Sequence, residues 1–361
     1  MLKIDFYESG QGETTIVTFP DNSIGVVDAY PSGSNSRPSI TDLTVNKKLR
    51  FVCLSHPHRD HAEDIAQLLS QRSPDELWHT INLTDAFFYG EPRFNCYKSL
   101  LQENTEAHAR KAIDSVVNIF SLAKENNICQ KKINADFRTI TFAGVDVMIV
   151  SPNAKELSKY EYKFHDKVNK NSAIPNPNYI SAILVFQYGS SIFIHGGDAE
   201  SAQWNNAYNE YKKRVNSQAI LMKIPHHGAR NALFSPAYSG KILPQHYIDL
   251  FQKDAYLVLF GKQGHPDIDV WEKLREKSEN IFFLLNQYRM CATSTPPIVS
   301  AVPRPVSQTV QMLCNNHIHV ELDREGKISI NNGKACKECD SFHECFYQAK
   351  TKEMLRKKRK K

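Results

Sequence analysis

Short runs of β-branched and aromatic residues recur along this chain between polar turns, a pattern that predicts β-strands. A strand pair is predicted at 14–19 and 24–28, and a short buried strand at 50–55. Further strands are predicted at 137–142, 145–150, 180–186, 191–195, 219–224 and 255–260. Apolar residues at helical spacing predict helices over 62–71 and from about 100 to 127. Strands interspersed with helices indicate a layered α/β fold.

Two regions depart from this pattern. Residues 151–178 are polar and rich in Lys, Asn and Tyr, so we interpret them as a long loop or lid. After about residue 290 several prolines mark an irregular connection, and a hairpin is predicted over 317–330. The predicted organisation is a main domain over 1–290, a small appendage over 291–349 and a basic tail over 350–361.

The composition excludes several classes of protein. Of the 361 residues 41% are hydrophobic and 23% are charged, which is ordinary for a globular protein with its own core. No stretch reaches the roughly 20 apolar residues of a membrane span, and the first residues lack the apolar core of a signal peptide. A secreted disulfide scaffold would be shorter and denser in cysteine than this chain with its eight. We therefore expect a cytoplasmic protein that does not associate with membranes.

The positive charge is concentrated at the end of the chain. The formal net charge is +6, and residues 350–361 alone contain eight Lys or Arg and one Glu. Without this tail the chain is close to neutral. Such a run neutralises phosphates or lies against an anionic surface, or it is simply a solvated tail.

Four predicted strands end in loops that carry His or Asp next to Gly or Pro. These loops are residues 56–61, 196–198, 225–228 and 264–266. Strand ends that meet at one rim of an α/β fold are a usual place for a metal site.

The first of these loops reads His-Pro-His-Arg-Asp-His and holds four metal-ligating residues within six positions. His56 and His58 are two apart on extended chain, so both rings can point to one side and suit zinc or another divalent ion. Asp60 and His61 follow as the chain turns into a helix, and we expect them to face a second ion. Histidines that merely occupy a turn are the alternative, which accounts poorly for so dense a set.

The later loops would complete the site. Asp198 follows two glycines, and its two carboxylate oxygens suit it to bridge two ions. Either His226 or His227 would close the second site, and the sequence leaves open which of them. Two ions about 3.5–4 Å apart can share a hydroxide and clamp attacking and leaving oxygens. We therefore predict two divalent ions, zinc or manganese, and a bridging hydroxide oriented by Asp60 or Asp198 that attacks a phosphoryl centre.

Three further residues are candidates for contact with substrate. His265, or the histidine of 225–228 that is not a ligand, would steady the leaving oxygen. Lys223 and Arg230 would meet substrate phosphates, with ordinary surface cations as the competing interpretation.

The motif of the first loop matches the HxHxDH signature, so the chain resembles the metallo-β-lactamase superfamily. Within it, the chain resembles the hydrolase domain of ComEC-type competence proteins. The matching segments follow one another in the same order as in that family and cover roughly residues 1–285. The matching segments are Gly10-Gln11-Gly12-Glu13, Val27-Asp28, Asn178 to Ser181, Gly197-Asp198-Ala199, Lys223-Ile224-Pro225-His226-His227-Gly228 and Gly264-His265-Pro266.

This resemblance implies a four-layer αββα sandwich with the metals at one edge, and a hydrolase. For ComEC-type domains it implies a nuclease that acts on DNA. The membrane channel of the competence protein has no counterpart in this sequence, so a role in DNA uptake is not carried over with the fold.

Three positions depart from the ComEC-type pattern. The usual Gly-Gln-Gly-Asp ends in Glu13. Asn176 or Asn178 stands near the third-motif histidine of the wider superfamily, as Asn commonly does in ComEC-type members. The resemblance then implies fewer protein ligands for the first metal, with weaker binding or a preference for Mn²⁺. His195 takes a place usually held by Thr or Ser, and either lines the site or ends its strand.

Near the end of the chain, Cys336, Cys339, His343 and Cys345 place four soft ligands within ten residues. They predict a separate structural zinc site, with Cys314 as a substitute for His343 because a single residue between His343 and Cys345 is tight for one ion. Free thiols in a reducing cell are the competing interpretation.

Three hypotheses of function follow. The first is a metal-dependent phosphodiesterase, a nuclease with DNA as the favoured partner. The second is a hydrolase of a small substrate such as a cyclic nucleotide, phosphoester or thioester, with residues 151–178 closing over it. The third is a hydrolase-fold component of a multi-protein system, for example one of bacterial defence. In it Trp204, Tyr208 and Tyr211 face a protein partner unless they pack in the core.

Overall fold

The computed structural model describes most of the predicted main domain and part of the region after it. The described residues are 1–9, 12–31, 38–81, 106–170, 176–235, 241–242, 246–261, 265–284 and 317–332. Within them, no helix is long and apolar enough to cross a membrane.

The first sheet joins the beginning of the chain to its C-terminal hairpin. Its described strands are β1 (Leu2–Ser9), β2 (Gly12–Thr18), β3 (Ile24–Val27), β4 (Leu49–Leu54), β5 (Glu76–His79), β6 (Cys129–Lys132), β16 (His317–Leu322) and β17 (Ile328–Asn332). Their order is β17-β16-β1-β2-β3-β4-β5-β6. The pairs from β17 to β3 are antiparallel, and those from β3 to β6 are parallel.

The second sheet comes from the middle of the chain. Its described strands are β7 (Ile140–Phe142), β8 (Val145–Ser151), β9 (Ile183–Tyr188), β10 (Ser191–His195), β11 (Ala219–Lys223), β14 (Phe251–Phe260) and β15 (Ile281–Leu284). Their order is β15-β14-β11-β10-β9-β8-β7. A small hairpin pairs β12 (Phe234–Ser235) with β13 (Lys241–Ile242).

The two sheets pack face to face. Alternate apolar residues of both sheets meet in one buried cluster. Phe6 of β1, for example, packs edge-on against Phe193 of β10 and Phe260 of β14, with ring centroids 5.7 and 6.2 Å apart. Loss of one such buried ring costs about 3–5 kcal/mol of stability, so these contacts hold the two sheets together.

Helices cover both outer faces. The described helices are α1 (Ile40–Thr44), α2 (Arg59–Gln71), α3 (Glu106–Glu125), α4 (Ala154–Asn169), α5 (Ser201–Arg214), α6 (Arg230–Leu233) and α7 (Ile268–Lys277). The apolar faces of α2 and α3 pack on the first sheet, and those of α5 and α7 pack on the second. The layers therefore run αββα, and the predicted four-layer sandwich is confirmed.

Several elements differ from the sequence prediction. Residues 151–178, interpreted as a loop or lid, contain helix α4, because Leu157 and Tyr160 lie one turn apart and both are buried beside Ile180. Helix α2 begins three residues earlier than predicted, which has consequences for the site. Strand β6 was not predicted, because its sequence Cys-Gln-Lys-Lys is polar and mostly exposed.

The predicted docking face on α5 lies largely inside the protein. Trp204 and Tyr211 are fully buried in the cluster between α5 and the second sheet, and Tyr208 packs against it. The indole N–H of Trp204 donates to the backbone oxygen of Ala199 at 3.1 Å. These aromatic residues are core residues, not a free surface for a partner.

The hairpin assigned above to a C-terminal appendage is an integral part of the first sheet. Strand β16 pairs with β1 from Leu2 opposite Leu322 to Tyr7 opposite His317. Ile318 and Val320 are fully buried in the core between the sheets. The part of the predicted appendage at 317–332 thus completes the sandwich.

Candidate metal centre

The loop after β4 carries its ligands into the start of a helix. Because α2 begins at Arg59, His58 is its N-cap residue and both Asp60 and His61 lie in the first turn. A carboxylate is favoured at this position by the positive end of the helix dipole. The early helix start therefore places Asp60 and His61 close to the ends of β10 and β11.

The loop after β11 reaches the site through unusual backbone. His226 and His227 have φ values of 48° and 54°, in the left-handed region that costs an ordinary side chain about 1 kcal/mol or more. Gly228 follows at φ 73°, and a Cβ there would lie 2.7 Å from Cβ of Pro266. The sharp turn directs the fully buried ring of His227 toward Asp198.

One carboxylate oxygen stands at the centre of the site. Oδ2 of Asp198 lies 3.4 Å from Nε2 of His61, 3.7 Å from Nε2 of His227 and 4.0 Å from Nε2 of His56. Oδ2 of Asp60 lies 4.0 Å from Nε2 of His61 and 3.7 Å from Nε2 of His227. Four overlapping groups here are able to hold an ion. Two of them consist of the predicted ligands alone, namely His56, His61 and Asp198, and Asp60, His61 and His227, and the other two include Glu13.

These residues fit a pair of metal ions. Ligands of a tetrahedral ion at bond lengths of 2.0–2.2 Å are roughly 3.3–3.6 Å apart, close to the separations found around Asp198. The second carboxylate oxygen of Asp198, Oδ1, is buried and makes no hydrogen bond among the described residues. Imidazole and carboxylate together suit zinc, manganese and similar divalent ions. The donor set is therefore chemically and geometrically able to bind them.

Neighbouring polar groups fix the orientation of two of the histidines. Asp28, at the end of β3, lies with Oδ2 2.7 Å from Nδ1 of His61 and accepts hydrogen bonds from both the amide and the hydroxyl of Ser55. Nδ1 of His56 lies 3.0 Å from the hydroxyl of Ser55. The hydroxyl of Ser181 accepts from the amide of Asp198 at 2.8 Å. Partners of this kind turn the opposite ring nitrogen toward a metal.

Sequence reasoning assigned no such role to Asp28, Ser55 or Ser181. Asp28 and Ser181 appeared only within segments of the family resemblance. The signal that could have identified Asp28 is a carboxylate placed directly after a run of buried apolar residues, where an unpaired charge is costly. Ser181 lies 125 positions from His56 in the sequence, and no local pattern connects the two.

A buried pair of a glutamate and a lysine lies behind the ligands. Lys223 and Glu13 are both fully buried and are in direct contact. The ammonium of Lys223 also donates to the backbone oxygen of Gly197 at 2.8 Å and lies 3.8 Å from Oδ1 of Asp198. Lys223, expected above to meet substrate phosphates, is thus enclosed and directed at Glu13 and Asp198. Its position favours a role in holding the Gly-Gly-Asp turn.

The electrostatics of the interior favour bound cations. Burial raises the pKa of Glu13 to about 8, although Lys223 opposes the shift. Burial alone would lower the pKa of His61, but three nearby carboxylates, of which Asp28 has the largest effect, hold it well above the ordinary value. Burial would raise the pKa of Asp198, yet the surrounding histidines hold it well below the ordinary range. The carboxylates of Asp28, Asp60 and Asp198 surround His61, and a divalent ion would offset their negative charge.

His58 and His226, the two predicted ligands next to the buried His56 and His227, lie toward solvent. Nδ1 of His58 is 2.8 Å from Nε2 of His56, and the His58 side chain is partly exposed. Nε2 of His226 lies 3.3 Å from Nδ2 of Asn178, so the structure brings His227, not His226, into the groups around Asp198. Asp60 is 15% exposed, whereas Asp198 is 2% exposed. The site therefore opens on the side of Asp60, His58 and His226.

The two asparagines near the third-motif position, Asn176 and Asn178, lie against the carboxyl group of Glu200. Nδ2 of Asn176 donates to Oε1 of Glu200 at 3.1 Å, and Nδ2 of Asn231 donates to the same oxygen at 3.0 Å. Nδ2 of Asn178 lies 3.5 Å from it. Burial raises the pKa of Glu200 to about 7. These amides hold Glu200 beside the opening of the site.

His195 ends its strand and lies inside the protein. It is fully buried, with Nε2 3.3 Å from the hydroxyl of Thr15 and Nδ1 accepting from the amide of Gly197 at 3.4 Å. Burial lowers its pKa well below the ordinary value. Of the two roles left open by the sequence, the structure favours the structural one.

His265 and Arg230 lie at the outer side of the site. His265 is 29% exposed, with Nδ1 3.4 Å from Oδ2 of Asp267 and its ring centroid 6.2 Å from that of His226. The guanidinium of Arg230 pairs with Asp269 and lies over the ring of Phe234. His265 is thus placed beside the opening, while Arg230 has an acidic partner of its own.

The cysteine cluster predicted as a zinc site lies outside the described residues, as does the basic tail. This holds for Cys336, Cys339, His343 and Cys345. Their assignment stays a prediction.

Comparisons with known proteins give likenesses of structure only. No family model matches the chain, and no curated protein matches it. A variant of the β-hydroxylase CmlA matches over 78% of this chain and 52% of its own, at 10% identity and a TM-score of 0.42, so the match spans about half of CmlA. The metallo-β-lactamase fold protein YhfI from Bacillus subtilis matches over 78% of this chain and 96% of its own, at 10% identity and a TM-score of 0.38. Igni18, a metallo hydrolase from Ignicoccus hospitalis, matches over 92% of this chain and 100% of its own, at 12% identity and a TM-score of 0.38.

Proposed function

We propose that this protein is a metal-dependent hydrolase that cleaves phosphodiester bonds, with DNA as its favoured substrate. The observation that carries the proposal is the convergence of His56, His61 and His227 on Oδ2 of Asp198, with Asp60 beside them. The ComEC-type motifs and the basic residues at 350–361 support a nucleic acid as the substrate.

Two sets of side chains would bind the two ions. His56 and His58 would hold one divalent ion, Asp60, His61 and His227 the other, and Asp198 would lie between them. When bound, such ions lower the pKa of water and neutralise charge on a phosphoryl group.

The residues at the opening of the site would transfer protons and orient the attacking water. Asp60, the more exposed of the two central carboxylates, would orient an attacking water and accept its proton. His265 and His226, at the opening, would donate a proton or a hydrogen bond to the leaving oxygen.

The test uses purified full-length protein with Mn²⁺ or Zn²⁺ and labelled single- and double-stranded DNA. We expect cleavage by the wild-type chain and a loss of at least about a thousandfold in Asp198→Ala and His58→Ala. Asp136→Ala, which removes an exposed carboxylate, is the matched control and should cleave like wild type. Equal cleavage by all four proteins would overturn the proposal.

Parallel reactions distinguish the substrate classes. A 2′,3′-cyclic nucleotide, a phosphomonoester and an acyl thioester are offered to the same four proteins. Cleavage of one of these without cleavage of DNA would favour the small-substrate alternative, and no cleavage of any substrate would reject a hydrolase. Metal content of each variant, measured by mass spectrometry, should fall in Asp198→Ala and stay unchanged in Asp136→Ala.

A further inference from the structure

A second group of metal-ligating side chains lies on the outer face of the first sheet. In β1 and β16 the residues alternate in direction, and Phe6, Ile318 and Val320 face the core. Asp5 and His319, which are directly opposite each other, and His317 one pair along therefore lie on the other face.

In this group two histidine nitrogens meet one carboxylate oxygen. Nε2 of His317 and Nδ1 of His319 lie 2.8 and 2.6 Å from the same oxygen of Asp5, Oδ1. The ring of His317 stacks on that of Tyr7, with centroids 4.3 Å apart and planes within 3°. Nε2 of His319 lies 3.5 Å from Oε1 of Glu321. The stacking on Tyr7 and the contact with Glu321 thus restrict the two rings while one nitrogen of each lies against Asp5.

The group is accessible from solvent. The side chains of Asp5, His317 and His319 are 12%, 30% and 21% exposed. They belong to paired strands and share no residue with the groups around Asp198. An ion could reach them without passing through the metal centre at the strand ends.

We propose that Asp5, His317 and His319 form a second metal site that binds zinc or a similar transition-metal ion. Two imidazoles and one carboxylate are three ligands of the kind that zinc takes, and partial exposure leaves a fourth position for water. An ion there requires the nitrogens and the oxygen to separate to roughly 3.3 Å, a small side-chain movement. The set favours zinc, copper or nickel over magnesium and calcium, which take oxygen ligands.

The site would act as a cross-link. It joins β1 to a strand more than 300 positions away in the sequence, and so ties the β16–β17 hairpin to the sheet. An ion that binds only the folded chain stabilises it by mass action. The proposed site is therefore structural and independent of hydrolysis.

The experiment removes the other candidate sites first. The background is the full-length chain with Asp60→Ala, Asp198→Ala, Cys336→Ser and Cys339→Ser, stripped of metal and titrated with Co²⁺ and then Zn²⁺. Adding His319→Ala, or separately Asp5→Asn, to this background should remove one equivalent of bound metal. The difference between the Co²⁺ spectra of the background and of each variant should contain visible d–d bands. It should lack the near-ultraviolet charge-transfer band of thiolate ligands. Zn²⁺ at about a hundred times its Kd should raise the Tm of the background by about 3 °C, and this rise should vanish in both variants.

Glu321→Gln is the matched control. It removes a carboxylate beside the site that is not among the three ligands, so the equivalent of metal should remain. Unchanged metal stoichiometry in both His319→Ala and Asp5→Asn, with circular dichroism showing a folded chain, would overturn the proposal. In the otherwise native chain, Asp5→Asn should leave hydrolysis unchanged, so this result does not depend on the proposed function.

Discussion

Two clusters of histidines and carboxylates in this molecule offer similar ligands in opposite settings. Around Asp198 the ligands come from loops after separate strands, and the central ones are 0–2% exposed. Around Asp5 they come from two paired strands and are 12–30% exposed. A strand ladder fixes its side chains on one flat face, whereas loops at strand ends can surround a point from several directions. Of the two clusters, only the loops around Asp198 therefore form an enclosed site.

The enclosed arrangement has energetic requirements that the open one lacks. It contains three non-glycine residues in left-handed backbone, Asp28, His226 and His227, and the fully buried pair of Glu13 and Lys223. The open cluster lies on regular strands, next to the half-exposed pair of Lys3 and Glu321. Stability should therefore respond very differently to removal of a lysine from each region.

Removal of the buried lysine should have the largest effect. Lys223→Met leaves Glu13 buried without its cation, and we expect a loss of about 3–5 kcal/mol in the free energy of unfolding. Urea denaturation followed by circular dichroism measures it. The double variant Glu13→Gln/Lys223→Met should recover part of the loss, and a double variant as unstable as the sum of the two single variants would contradict the pairing.

His79, whose pKa is lowered chiefly by burial, tests by contrast the role of the charges that surround His61. Burial, opposed by the hydrogen bond to the backbone oxygen of Ile81 and assisted by Lys132, lowers the pKa of His79 to about 4. Since the unfolded chain binds this proton near pH 6.5, stability is full above that pH and is lost as the pH falls. By pH 4 the loss from this residue reaches about 3 kcal/mol.

His79→Gln provides the measurement. Its amide can still donate to Ile81, but it does not titrate. The free energy of unfolding, measured by urea at steps from pH 7 to pH 4, should fall less steeply for His79→Gln than for wild type. Parallel curves would contradict this expectation, because they would show that the pKa of His79 is the same in the folded and unfolded chains.

Removal of the surface lysine should have the smallest effect. The ammonium of Lys3 lies 2.9 Å from Oε1 of Glu321, with both side chains partly exposed. Exposed pairs contribute about 0–1 kcal/mol, so Lys3→Met should change the free energy of unfolding by less than about 1 kcal/mol, and less still in 1 M salt. A loss comparable to that of Lys223→Met would remove the contrast between the two regions.

The sequence was most informative where chemistry and local pattern coincide. His56 to His61 was located correctly at the end of a strand and the start of a helix, because both the ligand types and the apolar periodicity are local. Helix α4 was missed because its apolar stripe is narrow, with Leu157 and Tyr160 in a mostly polar segment.

Contacts between distant segments could not be predicted. The pairing of Lys223 with Glu13 is invisible in sequence, where Lys223 looks like any cation near a loop. The hairpin at β16 and β17 was predicted from its alternation, but its place beside β1 depends on a register between strands more than 300 positions apart.

That placement also governs how the chain is made. The pairing of Leu2 with Leu322 cannot form until ribosomes have added about 320 residues, which at 5–20 residues per second takes roughly 15–60 s. Until then one edge of β1 presents open backbone hydrogen-bonding groups, the kind of surface on which nascent chains pair with one another. The edge of the first strand is thus covered only once residues 317–332 have been made.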